Sequence, residues 1–123
     1  MATFMSDNVL DSGVTYIDTN TEILHICNAL PLTYANIATY TVGNKATPTV
    51  GVPEDGATGR KVVVSAITDG SVTADDTATH WCLAKDSATA ELICAATLSA
   101  PQVVSNGNTF TLDAIDITIP DPV

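Results

Sequence analysis

The sequence predicts a mainly β protein, an antiparallel β-sandwich or barrel with one N-terminal α-helix. Three observations carry this expectation. Thr is abundant, and Thr with Val and Ile favours strands because branching at Cβ suits a pleated surface. After residue 20 the chain breaks into short strand-like runs separated by turn residues. Only residues 6–20 show a clear helical stripe. With 123 residues the chain fits a single β-rich domain over 1–123, with the helix at about 6–20 and strands within about 21–119.

In the first segment, SDNVLDSGVTYIDTN, Val9, Leu10, Val14 and Ile17 recur at helical spacing. Ser6 or Asp7 can cap its start, and Asp11 lies in the early turns, where the helix dipole favours a carboxylate. Gly13 weakens the interior, and Asn20 fits a left-handed stop. Residues 21–29 then read as a strand. Residues 31–40 open on a proline break and have room for a helical turn. Residues 39–45 and 47–52 read as weaker strands, with Pro48 confined to an edge, and 53–59 as a loop.

The second half has stronger signals. Residues 60–68 and 71–77 flank Asp69-Gly70, a short-range hairpin signal because a type I′ turn needs positive φ at both central residues. Residues 79–85 and 91–98 flank DSATA and suggest a second hairpin. In 108–120, Phe110, Leu112 and Ala114 alternate with polar residues, and then Ile115, Ile117 and Ile119 do so in the opposite frame. A bulge near Ala114 and Ile115 would return both sets to one core face.

Charge excludes several partners. The formal net charge is −10, and Lys45, Arg60, Lys61 and Lys85 are the only cations apart from histidine. Affinity for nucleic acid comes largely from Lys and Arg neutralising phosphates, so no nucleic-acid partner is expected. The same charge is repelled by an anionic membrane surface, and no apolar run is long enough to span a bilayer. The opening MATFMSDNVLDSG lacks a basic region followed by an apolar one, and is not read as a secretory signal. Cys27, Cys82 and Cys94 are then expected as reduced, buried thiols.

The most suggestive chemical pattern is a doubled His-x-Cys, His25-Ile26-Cys27 and His80-Trp81-Cys82. Residues i and i+2 share a face in a strand, so neighbouring strands would bring two imidazoles and two thiols together as zinc ligands, with Cys94 as a substitute. Structural zinc sites usually carry a C-x₂₋₄-C knuckle, which is absent, and ordinary core positions are the preferred reading. GATGRK at 56–61 lacks the glycine-to-lysine spacing of a phosphate loop. Asp69, Asp75 and Asp76 lie close enough to suggest calcium but lack the D-x-D-x-D-G series, so a solvated edge is preferred. No G-x-S-x-G elbow occurs. The expectation is therefore no enzyme, no catalytic residue, no cofactor and no metal.

The phrases NVLDSGVTYIDTNTEILHIC, PLTYANIATY, GRKVVVSAITDGSVTADDTATHWCL and NTFTLDAIDITIP cover most of residues 8–120. Along them the chain resembles small phage and prophage virion structural proteins. The resemblance implies a structural subunit made in the host cytoplasm and built into the virion. It implies contact with the major capsid protein or other virion subunits, and a homo-oligomer in the particle. A capsid decoration (cement) protein bridging capsid subunits is the first expectation. A tail or connector component (tail tube, terminator or baseplate subunit) is the alternative. MATFM and IPDPV are apolar enough to be gripped by a neighbour, so Met1, Phe4, Met5, Ile119, Pro120, Pro122 and Val123 are the candidate subunit contacts.

Overall fold

The computed structural model describes residues 5–87 and 89–120. The elements run α1 (Asp7–Asn20), β1 (Ile23–Cys27), α2 (Tyr34–Tyr40), β2 (Thr41–Ala46), β3 (Glu54–Asp55), β4 (Arg60–Val64), β5 (Ile67–Val72), β6 (Asp76–Lys85), β7 (Glu91–Val104), β8 (Thr109–Leu112) and β9 (Ile115–Ile119). The protein is mainly β with an N-terminal helix, as the sequence predicts, and every strand pair is antiparallel. The chain divides into two compact units. One takes in the described parts of Met1–Asn20 and Asp113–Val123 together with Thr49–Ala66; the other comprises Thr21–Pro48 and Ile67–Leu112.

In the first unit α1 lies against β4 and β9 of a three-stranded sheet ordered β3-β4-β9. The Ser6 carbonyl and hydroxyl both accept from the Val9 amide, at 3.0 and 3.4 Å, so Ser6 rather than Asp7 caps the helix. Leu10, Val14 and Ile17 are buried, as are Val62 and Val64 of β4. Val9 belongs to the predicted stripe but is 57% exposed. The stripe at i, i+4 and i+7 is thus narrower than expected. Asn20 does not adopt a left-handed conformation. It is the last helical residue, and its side-chain amide donates to the Tyr16 carbonyl at 2.9 Å.

Gly13 has a packing reason to interrupt this helix. A Cβ there would run into the Ile119 side chain of β9, so the lost helix propensity, about 1 kcal/mol relative to Ala, permits close approach of helix to sheet.

The second unit is a six-stranded sheet ordered β7-β6-β1-β2-β5-β8. Its two edge strands are joined by the short connection from Val104 to Thr109. In a flat sheet they would lie five spacings of about 4.8 Å apart, roughly 24 Å, whereas five residue steps reach at most about 18 Å. The sheet must therefore curl, and the Gln102 side chain of β7 donates to the Thr111 carbonyl of β8 at 2.9 Å. The register places Leu24, Ile26, Trp81, Leu83, Val72, Phe110 and Leu112 on one face. All are buried and form the core of the curl. On the opposite face α2 covers Cys27, Cys82 and Ala84 with Ile37. The Thr33 hydroxyl caps α2 by accepting from the Asn36 amide at 3.2 Å.

Several sequence expectations need correction. Asp69-Gly70 is not a turn: both residues lie inside β5, and Gly70 pairs with Phe110 of β8. Residues 60–68 do not form one strand but divide between β4 and β5. Residues 71–77 likewise divide between β5 and β6. The frame slip at 113–115 is no bulge. β8 ends at Leu112 in one sheet and β9 starts at Ile115 in the other, so each isoleucine or phenylalanine set has its own core. Residues 47–52 contribute only the isolated bridge from Val50 to Val64, and 53–59 contains the two-residue β3. The DSATA hairpin is present between β6 and β7. There β7 runs on to Val104, with register breaks near Ile93 and between Thr97 and Gln102.

Candidate functional site

The doubled His-x-Cys is the place where strand pairing gathers the most chemistry. β1 and β6 are antiparallel neighbours, with His25 opposite Cys82 and Cys27 opposite His80. The alternation of the strand puts all four side chains on the face that α2 covers. Cys27 and Cys82 are fully buried, Cys94 is half-buried, and all three are free thiols.

The four groups do not converge on a common point. Thr41 uses its single hydroxyl proton on the Gly43 carbonyl at 3.1 Å. It therefore accepts from His25 Nδ1–H at 2.9 Å. His80 turns its Nδ1 toward the Thr79 hydroxyl at 2.8 Å. Among the described residues no group of three or more His, Cys, Asp or Glu side chains is placed to hold a metal ion. Asp69, Asp75 and Asp76 have separate tasks. Asp69 pairs with Lys45 at 3.0 Å, Asp75 accepts from the Asn106 amide at 2.7 Å, and Asp76 accepts from Asn28 and from the Thr77 amide.

Burial and hydrogen bonding govern the thiols. Cys82 donates to Cys27, and holding that proton against Cys27, together with burial, pushes the Cys82 thiol up. Burial, partly opposed by a hydrogen bond with the Leu83 backbone, pushes Cys94 up to about 11. The bond from Cys82 holds Cys27 below the ordinary thiol range, but its sulfur is fully buried; the raised Cys82 and Cys94 thiols are poor nucleophiles, since the thiolate is the reactive form. In the folded protein at pH 7.5, iodoacetamide should leave Cys27 and Cys82 unmodified and reach Cys94 slowly, whereas the denatured chain should react at all three. Native mass spectrometry should find the bare chain; a zinc adduct or a two-dalton loss would revive metal or disulfide chemistry.

Burial also lowers the His25 pKa from its ordinary value near 6.5, with Asp86 partly opposing. Below that value the unfolded chain takes up a proton that the folded chain refuses, so stability falls with falling pH and levels off below the folded pKa. Glu22, held down by the Ser87 amide first, and Asp76, held down by Asn28 first, add losses only at lower pH. Melting temperature should therefore hold steady from pH 8 to 7 and decline below about 6.5. His25→Asn, which keeps a donor for Thr41, should flatten the upper part of that decline. An unchanged profile in this variant would remove His25 as its cause.

The cations are engaged inside the chain. Arg60 contacts Asp11 at 2.7 Å and Asp55 at 2.6 Å, and Lys61 contacts Asp116 at 3.0 Å and Glu54 at 3.8 Å. With Lys45 on Asp69, three of the four Lys and Arg residues ion-pair internally. The charge left facing outward is acidic.

Of the candidate subunit contacts, Met1, Phe4, Pro122 and Val123 lie outside the described residues. Met5 is half-buried and Pro120 is exposed. Ile119 is not a free tail residue. It is the last residue of β9, pairs with Arg60 and lies against Gly13 of α1. No local pattern points to this partner, because helix-to-strand packing across about a hundred residues leaves none.

Compared with protein-family models, curated proteins and solved structures, the chain matches none of them.

Proposed function

We propose that this protein is a structural subunit of a phage particle, most specifically a decoration protein that bridges major capsid subunits on the outside of the head. The observation that carries the reading is the resemblance to virion structural proteins along residues 8–120. The physical properties of the chain support it. Two compact β-rich units with internally paired cations make a body with an acidic surface, suited to staying soluble before assembly. Attachment to a capsid surface is then apolar, or directed at a basic patch, because carboxylates set against carboxylates cost free energy.

The cement role is tested on particles. Heads lacking this chain should release DNA at a lower temperature than complete heads, and adding the purified protein should restore the difference. Equal heat resistance with and without the chain would remove the bridging role.

A further inference from the structure

Backbone hydrogen bonds along β9 are accounted for on one side only. In β4 the Val63 carbonyl accepts from the Gly51 amide, and the Ser65 amide just beyond it donates to the Thr49 carbonyl, both at 2.9 Å. Val63 and Ser65 therefore turn their backbone groups away from β9. Alternation along an antiparallel strand then directs Arg60, Val62 and Val64 toward β9, onto their partners Ile119, Ile117 and Ile115. The intervening residues Asp116 and Thr118 aim their amides and carbonyls at the opposite edge. Among the described residues no strand lies there, since β9 ends the order β3-β4-β9, and both residues are exposed. The other sheet edges are blunted. β3 is two residues long, the β6–β7 pairing is broken twice, and on β8 the Thr111 carbonyl already accepts from Gln102. β9 is regular and holds no lysine, proline or bulge, and its one charge, Asp116, is held by Lys61 at 3.0 Å. An edge without such protection is open to pairing with another chain.

We propose that β9 pairs antiparallel with β9 of a second copy of the chain, extending the three-stranded sheet across a two-fold axis at Ile117. The strand is its own complement. With Ile117 opposite its copy, Asp116 falls opposite Thr118 and Ile115 opposite Ile119. On each side of the axis the outward amide and carbonyl of Asp116 exchange hydrogen bonds with those of Thr118. The isoleucines, half-buried in each copy, meet on the face that carries α1, and each Asp116 keeps its Lys61 on the other. Charge and hydrogen bonding select this register. Sliding two residues one way sets Asp116 against Asp116, like charges directly opposed. Sliding two the other way sets Asp116 against Pro120, which has no amide to give. A slide of one residue sets outward backbone groups against groups already bonded to β4. The self-contact supplies a homo-oligomer surface to the virion reading without resting on it. It is measured on the isolated chain, so failure to dimerise and failure to bind particles are separate results.

The test is sedimentation velocity of the full chain from about 1 to about 500 µM, a range that brackets a Kd on the order of 50 µM. About 0.3 M NaCl screens the repulsion between two chains of net charge −10. The wild type should pass from monomer to dimer. Thr118→Pro removes an outward amide, a place where an edge strand accepts proline. It should weaken association at least tenfold while circular dichroism and melting temperature stay near wild type. Thr118→Val keeps the amide and should dimerise as the wild type does. Ile117→Cys reads the register directly and decides the matter even if the proline variant unfolds. Opposed residues of a non-hydrogen-bonded pair stand about 4.5 Å apart at Cα, inside the disulfide range. Excess oxidised glutathione should therefore join two Ile117→Cys chains, with peptide mapping placing the bridge at position 117 in both. A wild type monomeric throughout would overturn the proposal, whatever the chain binds on particles. A dimer that a folded Thr118→Pro protein keeps intact, or one that yields no bridge through position 117, would overturn it as well.

Discussion

Gly70→Val, an enlargement at a buried position, should lower the melting temperature by roughly 10 °C. Gly70 faces Phe110 across the β5–β8 pair, and a Cβ at Gly70 would overlap the Phe110 ring, meeting Cζ and Cε1 and standing 2.6 Å from Cδ1. The ring is buried and cannot swing outward without exposing itself. Overpacking of this kind costs about 1–3 kcal/mol, and a branched side chain belongs at the upper end. For a chain of this size 1 kcal/mol corresponds to about 3–5 °C. Gly70→Ala should show a smaller fall. Phe110→Leu should cost stability alone, yet the pair Gly70→Ala with Phe110→Leu should cost less than the sum, because the smaller side chain leaves space for the methyl group. Thermal unfolding followed by near-ultraviolet circular dichroism reads all four proteins. Strict additivity, or a Gly70→Val protein within about 2 °C of wild type, would show that the ring does not depend on the glycine.

Deleting residues 1–5 should leave a folded protein that occupies particles at least tenfold less, about 1.4 kcal/mol in binding free energy. The fold should survive because helix α1 starts after the deletion, and its cap, Ser6, is retained. Leu10, Val14 and Ile17, which bury the helix, are also untouched. What is lost is the apolar group Met1, Phe4 and Met5, three large side chains within five residues. Occupancy is measured by incubating emptied heads with wild-type or shortened protein and quantifying the bound fraction, with circular dichroism as the check on folding. Undiminished occupancy would sink the role of this tail. Truncation after Ile119 is the gentler companion, since Ile119 itself holds α1 and must stay.

The sequence disclosed the kinds of element better than their partners. Helical spacing in 6–20, the turn residues between 79–85 and 91–98 and the alternation in 108–120 follow from local geometry, and the corresponding elements formed. The changes of sheet at 65–66 and 113–114 were not legible, because alternation records which face of a strand is covered and not which sheet the strand joins. The frame slip after Ala114 was visible, but a bulge and a change of sheet produce the same pattern. Asp69-Gly70 misled for a related reason. Glycine serves a tight turn and a close aromatic contact equally well, and only the partner, Phe110, distinguishes them. The His-x-Cys pairs depend on a neighbour relation: only adjacency of β1 and β6 brings them together. That adjacency exists, but Thr41 and Thr79 take the imidazoles, and no sequence spacing signals those bonds.

The central claim, a structural place in a phage particle, is tested most directly by an image reconstruction of the purified virion into which this chain is fitted. The account predicts density for the two β-rich units on the outer surface of the head, repeated at symmetry-related positions where neighbouring capsid subunits meet. Density along the tail or at the connector would contradict the cement role while keeping the chain in the virion. Complete absence of the chain from particles, in the reconstruction and in mass spectrometry of the same preparation, would contradict the claim itself.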